Sequence, residues 1–125
     1  MIMLDTSVLI DLPAEWPDDE RFACSIITFA ELQSGIQRDI GLPSYAQRQA
    51  RLTLLDAIYD WAPFDGNAAR GYGTLAAIVS QTRPNHARSK DILIAGHADS
   101  MGASLMMRNP KDFELIASMV EIIAV

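Results

Sequence analysis

Short apolar runs alternate with segments of helical periodicity along the whole chain, and that alternation restricts the fold more than any other feature. Ile2 to Leu4 reads as a first strand, and Val8-Leu9-Ile10 continues into a short helix after Asp5-Thr6-Ser7. Phe22 to Ile27 reads as a second strand, apolar and β-branched enough for a central position. Helix is expected from Phe29 to Arg38 and again after Pro43-Ser44, where Leu52, Leu55, Ile58 and Tyr59 recur at helical spacing. Trp61-Ala62-Pro63-Phe64 is a short extended piece, and its proline suits a sheet edge. Asn67 to Gln81 reads as helix, with Tyr72, Leu75, Ala76 and Val79 on one side; Thr82 to Arg88 reads as a polar loop. A helix from Ser89 to Met101, a strand from Ala103 to Met107, a short helix from Asn109 to Ile116 and a strand from Val120 to Val125 complete the pattern. Strands alternating with helices imply an α/β fold, a central, mostly parallel sheet flanked by helices on both faces. No repeat or linker divides the chain, so residues 1–125 are expected to form one domain.

Four acids stand at the edges of these apolar segments. Asp5 ends the first strand, Glu31 follows Phe22 to Ala30, Asp91 opens the helix Asp91-Ile92-Leu93-Ile94-Ala95, and Asp112 follows Leu105-Met106-Met107 after a short turn. Parallel sheets bind ligands at the carboxyl ends of their strands, and the expected strands bring these acids to that one edge. Each also has a plainer reading. Thr28-Phe29-Ala30-Glu31 has the capping-box pattern, Asn109-Pro110-Lys111-Asp112 is a good helix start, and Asp91 suits the first turn of a helix. Asp5 could cap the helix beginning near Ser7. Capping leaves the direction of Asp91 unexplained, because at helical spacing it shares an apolar face with Ile94, Ala95, Ala98 and Met101. Two inward carboxylates repel by several kcal/mol at low dielectric unless they are protonated or bridged by a cation. Hard oxygen donors suit Mg²⁺ or Mn²⁺ over zinc. His86 and His97 lie far from the acids in pattern and are expected at the surface or in helix packing.

The composition is that of an ordinary globular chain, half hydrophobic and 21% charged. No apolar run nears the roughly 20 residues that span a bilayer, so no membrane association is expected. The N-terminus lacks a basic n-region and cleavage site, so a cytoplasmic protein is expected. Cys24 is the sole cysteine, which leaves no intramolecular disulfide and no cysteine-based zinc site; it reads as a small buried hydrophobe. The net charge of −6 argues mildly against nucleic acid, unless the acids surround a metal that reverses the local sign. Arg83, His86, Arg88 and Lys90 fall in one short loop, and Arg38, Arg48 and Arg51 form a second group; solvated surface and phosphate contact are both open readings.

Met3-Leu4-Asp5-Thr6-Ser7-Val8-Leu9-Ile10, Thr28-Phe29-Ala30-Glu31-Leu32 and Lys90-Asp91-Ile92-Leu93-Ile94-Ala95 resemble the three main signatures of PIN-domain proteins. Arg108-Asn109-Pro110-Lys111-Asp112-Phe113 resembles the fourth. Order, spacing and length are similar to the VapC type, the toxin half of bacterial toxin–antitoxin pairs. The resemblance implies a Mg²⁺- or Mn²⁺-dependent endoribonuclease that hydrolyses RNA to a 5′-phosphate and a 3′-hydroxyl. It implies Asp5, Glu31 and Asp91 as the acidic cluster, with Asp112 or Asn109 as an outer metal contact; family members often carry Asp where this chain has Asn109. Thr6 and Ser7 resemble hydroxyls that support Asp5 or a water at the metal, though both could be helix caps. Arg83, Arg88 and Lys90 are then candidates for contact with the RNA backbone. A homodimer and a cognate antitoxin covering the acidic cleft are implied in the same way. The apolar positions Leu52, Leu55, Ile58, Tyr72 and Leu75 could serve as core or as those partners' surface.

Two other readings compete. A phosphatase-like hydrolase would use Asp5 as nucleophile, but it wants a second Asp where this chain has Ser7, and a receiver domain wants adjacent acids that are missing before Asp5. A catalytically silent PIN fold acting as a binding module is the other, and the uncharged Asn109 leaves room for it.

Overall fold

The computed structural model describes residues 1–125. Five strands, β1 (Ile2–Leu4), β2 (Phe22–Ser25), β3 (Trp61–Ala62), β4 (Ser104–Met107) and β5 (Ile122–Ala124), form one sheet in the order β3-β2-β1-β4-β5, and every pairing is parallel. The chain steps from β1 outward through β2 to β3, then crosses to β4 on the far side. The order therefore reverses between β1 and β4, and the crevice at the carboxyl ends of those strands is the ligand-binding position of open parallel sheets. Pro63 directly follows edge strand β3, as the sequence suggests.

Side-chain alternation along the strands divides the core in two. Met3, Leu105 and Met107 face a larger cluster, which holds Leu75 and Val79 of α4 (Gly66–Ser80) and Ile92, Ala95 and Ala98 of α6 (Lys90–Ser100). Ile2, Leu4, Cys24 and Met106 face a smaller one with Val8 and Leu9 of α1 (Thr6–Ile10) and Leu55 of α3 (Tyr45–Ile58). The remaining long helix, α2 (Ile26–Arg38), touches both, through Ile27 and Leu32. Leu52, Leu55 and Leu75 are buried core, whereas Ile58 is 62% exposed. Cys24 is buried, and burial pushes its thiol up to about 12, which leaves it an inert hydrophobe.

Local chemistry moves several boundaries from their expected places. The second strand stops at Ser25 because the Ser25 hydroxyl accepts the Ile27 N–H at 3.1 Å and starts α2 there. The polar stretch after Thr82 contains a one-turn helix, α5 (Pro84–Ala87), which opens on a proline. The segment Pro110–Ile116 winds as a 3-10 helix, a tighter form common in short connections. No helix is long and apolar enough to cross a membrane.

The crossing of α4 and α6 depends on two glycines. A Cβ at Gly71 would run into the Gly96 carbonyl oxygen, and a Cβ at Gly96 would run into the Tyr72 backbone. Because that contact is backbone against backbone, a methyl group cannot be absorbed by rotating a side chain. Gly96→Ala is expected to destabilise the protein by about 1–3 kcal/mol, read as a lower midpoint in urea; an unchanged midpoint would mean that the helices can separate freely.

Candidate active site

Asp5 leaves the central strand at the switch point and is clamped from both sides. Its backbone N–H donates to Met106 O of β4 at 2.9 Å. Its Oδ2 accepts the Ser7 N–H at 3.1 Å and the Ser7 hydroxyl at 2.6 Å. The Ser7 Oγ in turn accepts the Arg108 N–H, just past β4, at 3.1 Å. Asp5 is thus the N-cap of α1, as one plain reading held, but capping uses a single oxygen. Asp5 is 6% exposed, and its Oδ1 is buried with no hydrogen-bond partner. A buried carboxylate oxygen left this way costs about 1–3 kcal/mol or more for a charged group.

Glu31 is not part of a capping box. With Ser25 as the N-cap of α2, Thr28 is the third helical residue and fully buried, and Glu31 falls one turn further on. There Glu31 Oε1 accepts the Thr6 hydroxyl at 3.0 Å. The β-branched Ile26 and Ile27 hide this start, because they prolong the apolar run of the strand. Burial raises the Glu31 pKa, and the Asp5 and Asp91 carboxylates raise it further, against the Thr6 hydrogen bond and the nearby Lys90 ammonium.

Asp91 lies half-buried in the first turn of α6, with Ile94, Ala95 and Ala98 fully buried on the following turns. Met101, grouped with them by periodicity, lies outside, 37% exposed at the C-cap. Burial raises the Asp91 pKa, followed by the charges of Asp5 and Asp112, while His86 lowers it. Asp112 stands on the outer side of this group. Its Oδ2 accepts from Asn109 Nδ2 at 3.0 Å, and its Oδ1 lies 4.0 Å from an Arg83 guanidinium nitrogen. Asn109 is exposed, and its amide holds Asp112 in place.

The histidines part company. His97 is core: buried, edge-on to Phe64, with Nδ1 2.8 Å from the Ser25 hydroxyl and its pKa lowered by burial. His86, expected far from the acids, is close enough to act on Asp91, and its Nε2 lies 2.6 Å from the Asp112 backbone oxygen. Sequence distance conceals this, since α5 folds back over the 3-10 helix. Of the cations, Arg83 is engaged with Asp112, Lys90 acts on Glu31, and Arg88 is exposed without an ion pair.

Asp5, Glu31 and Asp91 thus interact mutually, with Asp112 joining through Asp91. No three of the chain's His, Cys, Asp or Glu side chains are already arranged as a metal-ligand set. The donor chemistry nonetheless fits a hard divalent cation: all the donors are carboxylate oxygens, one of them buried and unpartnered, and their mutual repulsion is what such a cation relieves.

A parallel sheet of this order, with acids gathered from the end of β1, the segment after β4, the second turn of α2 and the first turn of α6, defines an α/β domain built around an acidic crevice. The chain belongs to the PIN-domain family, which matches residues 2–118. Among solved structures it is similar to VapBC-5 of Mycobacterium tuberculosis, described as a member of the VapBC family of toxin–antitoxin systems, at 32% identity and a TM-score of 0.80 over 98% of this chain and 97% of that one. VapBC-1 of nontypeable Haemophilus influenzae matches at 28% identity and 0.75, covering 99% and 98%. VapBC2 of Rickettsia felis, bound to a DNA fragment from its promoter, matches at 25% and 0.77, covering 100% and 99%. No curated protein matches the sequence.

Glu31 and Asp91 hold their protons above the ordinary values of 4.5 and 3.8. The folded chain therefore binds those protons more tightly than the unfolded one. The stability they contribute is full below those ordinary values and is lost as pH rises through the raised ones. In EDTA, Glu31→Gln is expected to gain stability relative to wild type as pH goes from 4 to 7, measured by urea midpoints. A difference that stays constant across that range would contradict the shift.

Proposed function

We propose that the chain is the toxin of a VapBC-type toxin–antitoxin pair, an endoribonuclease that requires Mg²⁺ or Mn²⁺. The observation that carries this reading is the buried, unpartnered Asp5 Oδ1 at the switch point, within electrostatic range of Glu31 and Asp91. The solved relatives above, described as toxin–antitoxin systems, supply the biological setting.

Asp5, Glu31 and Asp91 would hold the cation, with Asp112 as an outer contact steadied by Asn109. Bound there, such an ion would supply Lewis acidity to a water and to the scissile phosphate. The residues themselves orient and move protons. Ser7 fixes the Asp5 carboxylate through Oδ2 and leaves Oδ1 free to ligate. Thr6 fixes Glu31 through one oxygen, and the raised pKa of that carboxyl suits it to accept a proton from the attacking water. Lys90, beside Glu31, and the exposed Arg88 would meet the RNA backbone, and Arg83 would do so on leaving Asp112. The engaged, buried carboxylate of Asp5 suits a ligand better than a phosphatase nucleophile.

The partners follow. An antitoxin segment bearing a basic side chain would neutralise the crevice, and the exposed apolar residues Leu54 and Ile58 on α3 offer surface for it or for a homodimer. The setting is the cytoplasm, where the RNA is.

Purified protein, freed of any antitoxin, is incubated with total bacterial RNA in Mg²⁺, Mn²⁺ or EDTA beside Asp5→Asn. Discrete fragments are expected with metal, absent in EDTA and reduced by more than about 100-fold in Asp5→Asn; Ser7→Ala, which removes the hydroxyl that links Asp5 to the Arg108 backbone, should lose about 10–100-fold. Identical patterns from wild type and Asp5→Asn in every condition would overturn the nuclease and favour a silent binding module.

A further inference from the structure

A cavity of about 190 Å³ opens between α1, α2 and α3, and it adjoins the acidic cluster through Thr6 and Glu31, which both line it. Its wall is apolar, formed by Leu32, Ile36, Leu52 and Leu55, and three arginines, Arg38, Arg48 and Arg51, also line it. Three of the chain's ten Lys and Arg residues thus meet in one place on a protein of net charge −6. Their convergence is close. The point where a Cβ would stand on Gly35 lies 3.7 Å from an Arg48 guanidinium nitrogen and 3.9 Å from one of Arg38. Arg48 pairs with Asp39 at 3.1 Å, but Arg38 and Arg51 have no ion-pair partner. None of the three pairs with Glu31, although all line the same cavity. Like charges gathered this way repel, and an anion between them reverses that cost.

We propose that this cavity is a nucleotide subsite of the nuclease. The base beside the scissile phosphate enters against the leucine and isoleucine wall, and Arg38, Arg48 and Arg51 clamp the next backbone phosphate. The assignment rests on the nuclease reading, since that reading places the scissile phosphate at the acids, of which Glu31 also lines the cavity. The size is suitable: a cavity of about 150 Å³ lined by apolar side chains admits a benzene ring, so a single unstacked pyrimidine fits here. Gly35 keeps the floor open, because any side chain there would project among the guanidinium groups. An RNA strand satisfies both ends at once, its bridging phosphates meeting the arginines and its reacting phosphate meeting the acids.

The probe is a fluorescent uridine octamer, titrated in Ca²⁺ so that the acids are neutralised, across a series of salt concentrations. The Arg38→Ala/Arg51→Ala variant is expected to bind at least about tenfold more weakly, with the salt slope reduced by about 0.7 for each phosphate that the arginines no longer neutralise. Gly35→Leu, which keeps every positive charge but fills the cavity and crowds the Arg38 and Arg48 guanidinium groups, is expected to weaken binding, with circular dichroism checking that the fold persists. Arg70→Ala, which removes one positive charge from the exposed face of α4, should leave binding unchanged. Mn²⁺ binding by calorimetry should persist in all three. Wild-type affinity and slope in the double variant would overturn the subsite. So would a double variant that keeps the octamer but loses a Glu-Leu repeat peptide held by wild type, which would make the cavity a peptide dock. Wild type that neither binds nor cuts RNA would overturn the nuclease reading, and the subsite with it; wild type that cuts RNA, beside a double variant binding it equally well, would overturn the subsite alone.

Discussion

Three residues of β1 carry the rest of the structure. Ile2, Met3 and Leu4 pair with β2 on one side and β4 on the other, and they are buried on both faces. Met3 joins the larger apolar cluster and its two neighbours join the smaller. Each fully buried side chain of this size contributes about 1.5–3 kcal/mol, but the strand matters more for position than for energy. It is where the sheet's order reverses, so the residue after it emerges into the crevice that the reversal creates. That residue is Asp5.

The acids are held near one another against their own repulsion, and hydroxyl groups do much of the holding. Ser7 ties Asp5 to the start of the segment after β4, and Thr6 ties α1 to Glu31 on α2. The Gly71–Gly96 crossing lets α6 lie directly on α4, which sets the depth at which Asp91 begins its helix. Asp112, 35% exposed, sits at the outside of this group, where Asn109 and Arg83 engage its two oxygens. The result is a graded cluster, with Asp5 the most buried and Asp112 the most neutralised. A site of that form is consistent with the proposed cation on its inner side.

Much of this is legible in the residues, and the failures have definite causes. The strand–helix alternation and the edge position of Trp61-Ala62 follow from local periodicity and from proline, and both hold. The capping box at Thr28 fails because a serine three residues earlier captures the helix start, and a β-branched pair masks it. His86 reads as distant from the acids because no local pattern reports that α5 folds against the 3-10 helix. The arginines of α2 and α3 are ambiguous for the same reason. Arg38, Arg48 and Arg51 read equally well as solvated surface until the helices pack and turn them toward one cavity.

The sequence by itself determined the α/β class, the parallel sheet and the set of acids at segment ends. Those depend on hydrophobic periodicity and on chain order, which are local properties. The tertiary structure decided which acids interact, which oxygen of Asp5 is left without a partner, and which cations stand beside them. Those are matters of distance between residues far apart in the chain, and electrostatic energy depends on distance and burial, neither of which a linear pattern contains.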